Sequence, residues 1–213
     1  MAITATNEGV KREIIPSGNY VARCYSMVHV GTVEEEYMGE KKVMNKCRIT
    51  WELPSELRVF DEAKGEQPLV ISKEYTLSMH EKSNLRHDLE SWRGKGFTED
   101  EAKAFDVTRL LGIPCMVNII HRQSKKGSEY ATISTISPMP KGLVCPMQMN
   151  PTFEWNFTDN FSMDVLDTFP DFIKDKIRSS VEYRKLTGEF IDLPESEHAY
   201  TDIDKDDDEG LPF

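Results

Sequence analysis

Residues able to hold a polyanion recur at alternate positions in the first third of this 213-residue chain. Arg23, Tyr25 and His29 share one phase of a run that alternates from Asn19 to Val30, and Lys46 and Arg48 share the outward phase of the next run. Lys41, Lys42 and Tyr37 lie on the connection between the two runs, and Lys73 lies on a third. His121, Arg122, Lys125 and Lys126 gather at a later turn. Cations pair with phosphates and aromatic rings carry stacked bases, so this set has the chemistry of a groove for a single nucleic-acid strand, read without sequence preference. Each residue also has an ordinary reading. Outward Lys and Arg commonly serve only solubility, surface histidines are common, and Tyr25 fits contact with a neighbouring segment as well as a groove. The run Glu34-Glu35-Glu36 opposes a phosphate contact on that part of the hairpin. Trp51, Trp92 and Tyr75 fall on apolar phases and read as core.

Catalytic chemistry finds little support, and the expectation is a protein that is not an enzyme and uses no metal or cofactor. There is no Gly-rich phosphate loop, no Gly-x-Ser-x-Gly elbow and no His-Glu-x-x-His. Asp171 with Lys174 and Lys176 superficially suggests a metal nuclease, but all three fall in one predicted helix without a strand-borne acid beside them. Asp202, Asp204 and Asp206 have the spacing of a calcium loop, but Gly is missing from its sixth position. The four cysteines (Cys24, Cys47, Cys115, Cys145) form no Cys-x-x-Cys pair. Free buried thiols in a reducing cytoplasm are the expectation. No basic-then-apolar leader and no run of about 18 apolar residues occurs, so no membrane partner is expected.

Net charge is −11, and it is unevenly spread. From Pro194 onward eight Asp/Glu stand against one Lys, whereas residues 1–193 carry 25 Lys/Arg against 29 Asp/Glu. The acid is segregated, which leaves room for a basic surface elsewhere. Such a run cannot bury itself, so a disordered acidic tail is predicted over 194–213. Its last residues are Asp206-Asp207-Asp208-Glu209-Gly210-Leu211-Pro212-Phe213. The Phe213 ring, stiffened by Pro212, suits a partner pocket that is apolar inside and basic at its rim.

The elements that must position these residues read as mainly β. Strands are predicted over 19–30, 43–53 and 69–79, with Pro54 ending the second and a charged loop over 55–68. On the first, Tyr20, Ala22, Cys24, Val28 and Val30 share the apolar phase; Val21, Arg23, Tyr25, Met27 and His29 share the other. Residues 31–42 read as a hairpin connection. Leu85, Leu89 and Trp92 recur at helical spacing within 81–92, Ser83 is a candidate cap, Thr98 with Glu101 is a capping box, and Asp106 caps a further turn. Strands over 115–122 and 130–137 follow. Three strands, a helical connection and two strands is the order of a five-stranded OB-fold barrel. With a loose N-terminal arm, this domain spans 1–140. Residues 141–193 form an appendage: an aromatic cluster (Phe153, Trp155, Phe157, Phe161), then a helix from Pro170 to about Leu186, packed on the barrel or on a second subunit of a homodimer.

Two resemblances bear on function. The ending Asp206–Phe213 resembles the tail of bacterial single-stranded DNA-binding proteins, with Leu211 where Ile is usual and Glu209-Gly210 extra. That resemblance implies that Asp206, Asp207, Asp208, Glu209, Leu211, Pro212 and Phe213 dock on replication or recombination proteins. The body, over Leu77–Arg86 and Leu89–Lys95, is similar to small proteins of bacteriophage replication modules. This implies an OB-type protein that binds single-stranded DNA without strong sequence preference during phage replication or recombination, in the host cytoplasm. The alternatives are a protein-interaction or structural phage protein, a strand-annealing recombination mediator and, last, a nuclease.

Overall fold

Alternating apolar residues build a curled antiparallel sheet. A computed structural model describes residues 14–37, 40–124 and 127–188. In chain order the elements are β1 (Gly18–Tyr37), β2 (Glu40–Asp61), β3 (Gly65–Thr76), α1 (Asn84–Arg93), α2 (Glu99–Lys103), a 3-10 turn (Val107–Leu110), β4 (Pro114–Gln123) and β5 (Glu129–Ser137). The strands follow the path β3-β2-β1-β4-β5, with each neighbouring pair antiparallel. The ends of the path, β3 and β5, approach each other, so the sheet curls into a half-barrel.

The inside of the curl holds Cys47, Ile49, Trp51 and Leu53 of β2, Ile71 and Tyr75 of β3, Val117 and Ile119 of β4, and Ile133 and Ile136 of β5. Helix α1 adds Leu85, Leu89 and Trp92, and the Trp92 ring lies 5.9 Å from that of Trp51. Ser83 accepts from the Arg86 N–H, Gly94 ends α1 in the left-handed region, and the predicted box at Thr98 and Glu101 opens α2. Cys24, Cys47 and Cys115 are buried and all four cysteines are free; burial pushes the Cys24 and Cys47 thiols up to about 12.

Several boundaries differ from the sequence reading. Pro54 does not end β2. The strand runs on to Asp61 and pairs with β3 through Arg58↔Gln67 and Val59↔Glu66, so 55–68 is mostly a hairpin arm rather than a loop. Residues 31–42 likewise extend β1 and β2, paired from Thr32↔Asn45 to Tyr37↔Glu40. The phase assigned to β1 fails after Cys24. Register shifts leave Tyr25 and Val30 as extra residues on β1. A bulge moves every following side chain to the opposite face. Met27 therefore joins the barrel core, while Val28 and Val30 face away from it.

Those outward valines are covered by the appendage, which packs on the sheet within one chain. It comprises a short strand β6 (Phe153–Trp155), parallel to β1 at Ser26–Val28, followed by α3 (Met163–Thr168), α4 (Asp171–Ser179) and α5 (Val181–Thr187). The expected single helix over 170–186 is broken at Ser180, whose backbone is extended and whose hydroxyl caps α5. Val28, Val30, Val33, Trp155, Phe157, Leu166, Ile173 and Ile177 form a second apolar cluster. Gly31 makes the contact close. With φ +93°, its hydrogen points at Ser180, and a Cβ there would lie 2.7 Å from the Ser180 Cβ.

Candidate nucleic-acid interface

Pairing register defines the outer face of β1, β2 and β3 as rows across the strands, because directly opposed residues share a face. One row is Val28, Arg48 and Glu74; the next is Ser26, Thr50 and Ser72; the third is Arg23, Glu52 and Val70. In the opposite direction Gly31 and Lys46 stand opposite each other, followed by Val33 and Met44. Of the sequence-predicted cations this face carries Arg23, Lys46 and Arg48, and the appendage lies against it.

The first row is bound to α4 by charge. Lys176 of α4 donates to Glu35 at 2.8 Å and to Glu74 at 2.7 Å. Lys46 pairs with Glu35, and with Glu74 at 3.5 Å. Two lysines and two glutamates thus alternate between strands and helix. Burial alone would raise the Glu35 carboxyl, but the hydrogen bonds from Lys176 and Lys46 outweigh it and hold it below its ordinary value. Burial likewise opposes the charge on Lys176, and its two carboxylate partners still raise it. Arg48, opposite Glu74, lies with its guanidinium 5.4 Å from the centroid of the Phe172 ring on α4; burial lowers its pKa and Glu74 opposes that shift. Farther along, Glu182 of α5 accepts from the Thr32 N–H at 2.6 Å and from its hydroxyl at 2.7 Å, beside the second bulge.

The third row is crossed by the extended segment 145–152. Glu52 is fully buried, and its carboxylate accepts from the N–H groups of Met149 and Asn150 and from the Asn150 side chain at 2.8–2.9 Å. Arg23 is spent on the same segment and its neighbour: it donates to the Gly112 carbonyl at 2.7 Å and the Pro146 carbonyl at 3.0 Å.

The remaining predicted residues are dispersed. Tyr25 is the extra residue of the first bulge, half-buried, its phenol raised by burial and by Glu52. His29 has the inward phase, opposite Cys47; it shares a hydrogen bond with Asn45 at 2.7 Å and meets Phe157 edge-on at 5.3 Å. Lys73 has the inward phase and pairs with Asp88 of α1 at 2.8 Å, the same carboxylate oxygen that accepts from Tyr75. Lys41 is exposed and pairs with Glu34 at 2.7 Å; Lys42 stands opposite Glu35. His121 contacts the Ile15 carbonyl at 2.8 Å, and Arg122 stands opposite Tyr130, whose side chain is exposed. Tyr37 closes β1, but its side chain lies outside the described residues, as do Lys125, Lys126 and the tail from Asp206 to Phe213. The structure thus brings Lys46 and Arg48 together with two groups the sequence reading did not select, Lys176 and Phe172. Lys176 entered the sequence reading only beside Asp171 and Lys174 in one predicted helix, and Phe172 carried no signal there beyond an apolar residue of that helix.

Among the described residues, no three His, Cys, Asp or Glu side chains converge as a metal site, and no helix is long and apolar enough to cross a membrane. A scan against protein-family models, a search of curated proteins and a search of solved structures each found no match.

Proposed function

We propose that this chain is a non-enzymatic single-stranded DNA-binding protein built on an OB-type barrel. The observation that carries the reading is the strand path β3-β2-β1-β4-β5 with α1 inserted between β3 and β4 and the path's ends close together. That connectivity matches the order expected of an OB fold, and OB folds hold single strands over the face of strands two and three and the flanking loops. On this reading the cations at the β1–β2 and β4–β5 hairpins hold phosphates. The tail from Asp206 through Phe213 recruits replication or recombination proteins, and the setting is phage DNA metabolism in a bacterial host.

The test is fluorescence anisotropy of a labelled oligo-dT, titrated across salt and against a duplex of equal length. A labelled strand is the better reporter, because Trp51, Trp92 and Trp155 are all buried. The expected result is binding to the single strand that weakens with salt, with a log–log slope of roughly −0.7 per phosphate neutralised, and much weaker binding to the duplex. Equal, weak binding to both at low salt would overturn the reading.

A second reading, a protein-interaction role for the barrel, is favoured by one observation. The β2–β3 hairpin arm exposes Leu57, Val59 and Phe60, an unusual concentration of apolar side chains on a strand pair. That reading predicts no salt-sensitive affinity for DNA.

A further inference from the structure

The two parts of the appendage leave one row of the outer face between them. Helix α4 lies over the row of Arg48, and the segment 145–152 lies over the row of Glu52. Between them run Thr50 and Ser72, whose hydroxyls share a hydrogen bond at 2.9 Å. The flanking positions, Arg48 and Glu52, are four residues apart on β2, so their backbones lie about 13 Å apart along the strand. The row is only partly open: Ser26 is buried, and Thr50 and Ser72 are half-buried.

Its walls differ. On the side of segment 145–152 stand Met149 and Val70, 49% and 45% exposed. On the α4 side stands Phe172, in the first turn of the helix. Its neighbour Ile173 and Ile177 are buried in the appendage cluster, but Phe172 is 57% exposed and does no packing there. What it touches instead is the Arg48 guanidinium. A cation over a ring fixes the ring's orientation. The cations nearby are Lys46, Arg48 and Lys176, set against Glu35 and Glu74, with Asp171 and Asp175 beside Phe172 partly offset by Lys174.

We propose that Phe172 is the stacking platform for a nucleobase of the bound strand, with Arg48 holding the ring and facing the adjacent phosphate. This rests on the single-strand reading above and makes the appendage a working wall of the groove rather than only its cover. A ring face takes any base, so the platform adds affinity and no sequence preference.

The experiment uses the full chain carrying Phe172→Leu or Phe172→Trp, with oligo-dT and an abasic oligomer of the same length as probes. Leu keeps the helix and the apolar bulk but offers no ring. The expected result for Phe172→Leu is oligo-dT binding roughly 5- to 150-fold weaker, with the salt slope and the abasic affinity unchanged. In Phe172→Trp the new indole is the one exposed tryptophan, since the three native ones are buried, and its emission is quenched as oligo-dT binds. Phe172→Leu binding oligo-dT within twofold of the unsubstituted protein, or a Phe172→Trp emission that ignores the strand, overturns the platform while leaving the single-strand reading intact. If the unsubstituted protein itself fails to bind oligo-dT, the single-strand reading falls and the platform with it.

Discussion

The barrel core and the appendage core are built on opposite faces of one strand, and they are held differently. On the barrel side β1 contributes Ala22, Cys24 and Met27 to a cluster that four other strands and α1 complete. On the appendage side it contributes Val28, Val30 and Val33, covered by pieces of a segment more than a hundred residues away. The first core is apolar contact reinforced by a continuous hydrogen-bonded sheet. The second depends on β6, three residues long, on the Glu35–Lys176–Glu74–Lys46 quartet, on the Glu182–Thr32 pair and on the close approach at Gly31. The lesson is that two bulges let one strand serve two clusters, and that the second is the one exposed to pH and to small steric changes.

The largest contrast comes from the tryptophans at the two centres. Trp51→Ala removes the middle of the barrel core and is expected to cost about 3–5 kcal/mol, a large share of a typical domain's stability. Amide exchange should accelerate across β1–β5. Trp155→Ala removes a side chain of similar burial, but the acceleration should centre on 153–187 and on 26–33. If both variants speed exchange over the same residues, the two clusters are one cooperative unit and the comparison fails.

A smaller effect is expected from Gly31→Ala. The added Cβ meets Ser180 at 2.7 Å, on a backbone with φ +93° that alanine rarely adopts. The cost should be about 1–3 kcal/mol. Exchange should rise at α4 and α5 and remain slow in β4 and β5. No change in α4–α5 protection would show that this contact does not seat the appendage.

The mildest test is acid. Glu35 and Glu182 are both held below the ordinary carboxyl value of 4.5: burial opposes the charge, but bonds from Lys176 and Lys46 in one case and Thr32 in the other outweigh it. Lowered values mean the unfolded chain binds protons first, so their contribution is present above about 4.5 and is lost as pH falls through the folded values. The raised Lys176 acts at the other limit: its contribution is present below 10.5 and is lost as pH rises through its folded value. Exchange in 171–187 should therefore rise below pH 4.5. Glu182→Gln should reduce that pH dependence without removing it, because Glu35 still titrates. An α4–α5 protection that is flat from pH 7 to 3 would sink the electrostatic part of the comparison.

Much of the sheet was legible in the sequence, because β4 and β2 as far as Leu53 alternate cleanly, whereas in β5 a register shift puts both Ile133 and Ile136 inside. β1 was not, for a definite reason. Met27 and Val28 are both apolar, so either phase after Tyr25 satisfies alternation, and only the partner strand decides which residue is squeezed out. Pro54 misled in the opposite direction: it lies at a register shift between Leu53 and Leu57, where a strand tolerates proline, and the arm resumes beyond it. Of the candidate residues, Lys46 and Arg48 do lie on the outer face that their phase predicted. Lys73 and His29 instead have the inward phase, Lys73 by its place on β3 and His29 through the bulge. Glu52 carried no signal at all, because a glutamate between Trp51 and Leu53 reads as a solvated residue until the chain that buries it returns 97 residues later.

That late return sets a schedule. During synthesis Val28, Val30 and Val33 leave the ribosome more than a hundred residues before Trp155 and Ile177 exist to cover them. At translation rates of 5–20 residues per second this interval is on the order of ten seconds. The half-barrel can close meanwhile, since its partners end at Ser137, but its outer face stays a sticky apolar stripe until residues 153–187 follow. A chain of which only the first 140 or so residues have emerged therefore presents a finished core with one unprotected face, open to a chaperone or to another copy in the same condition.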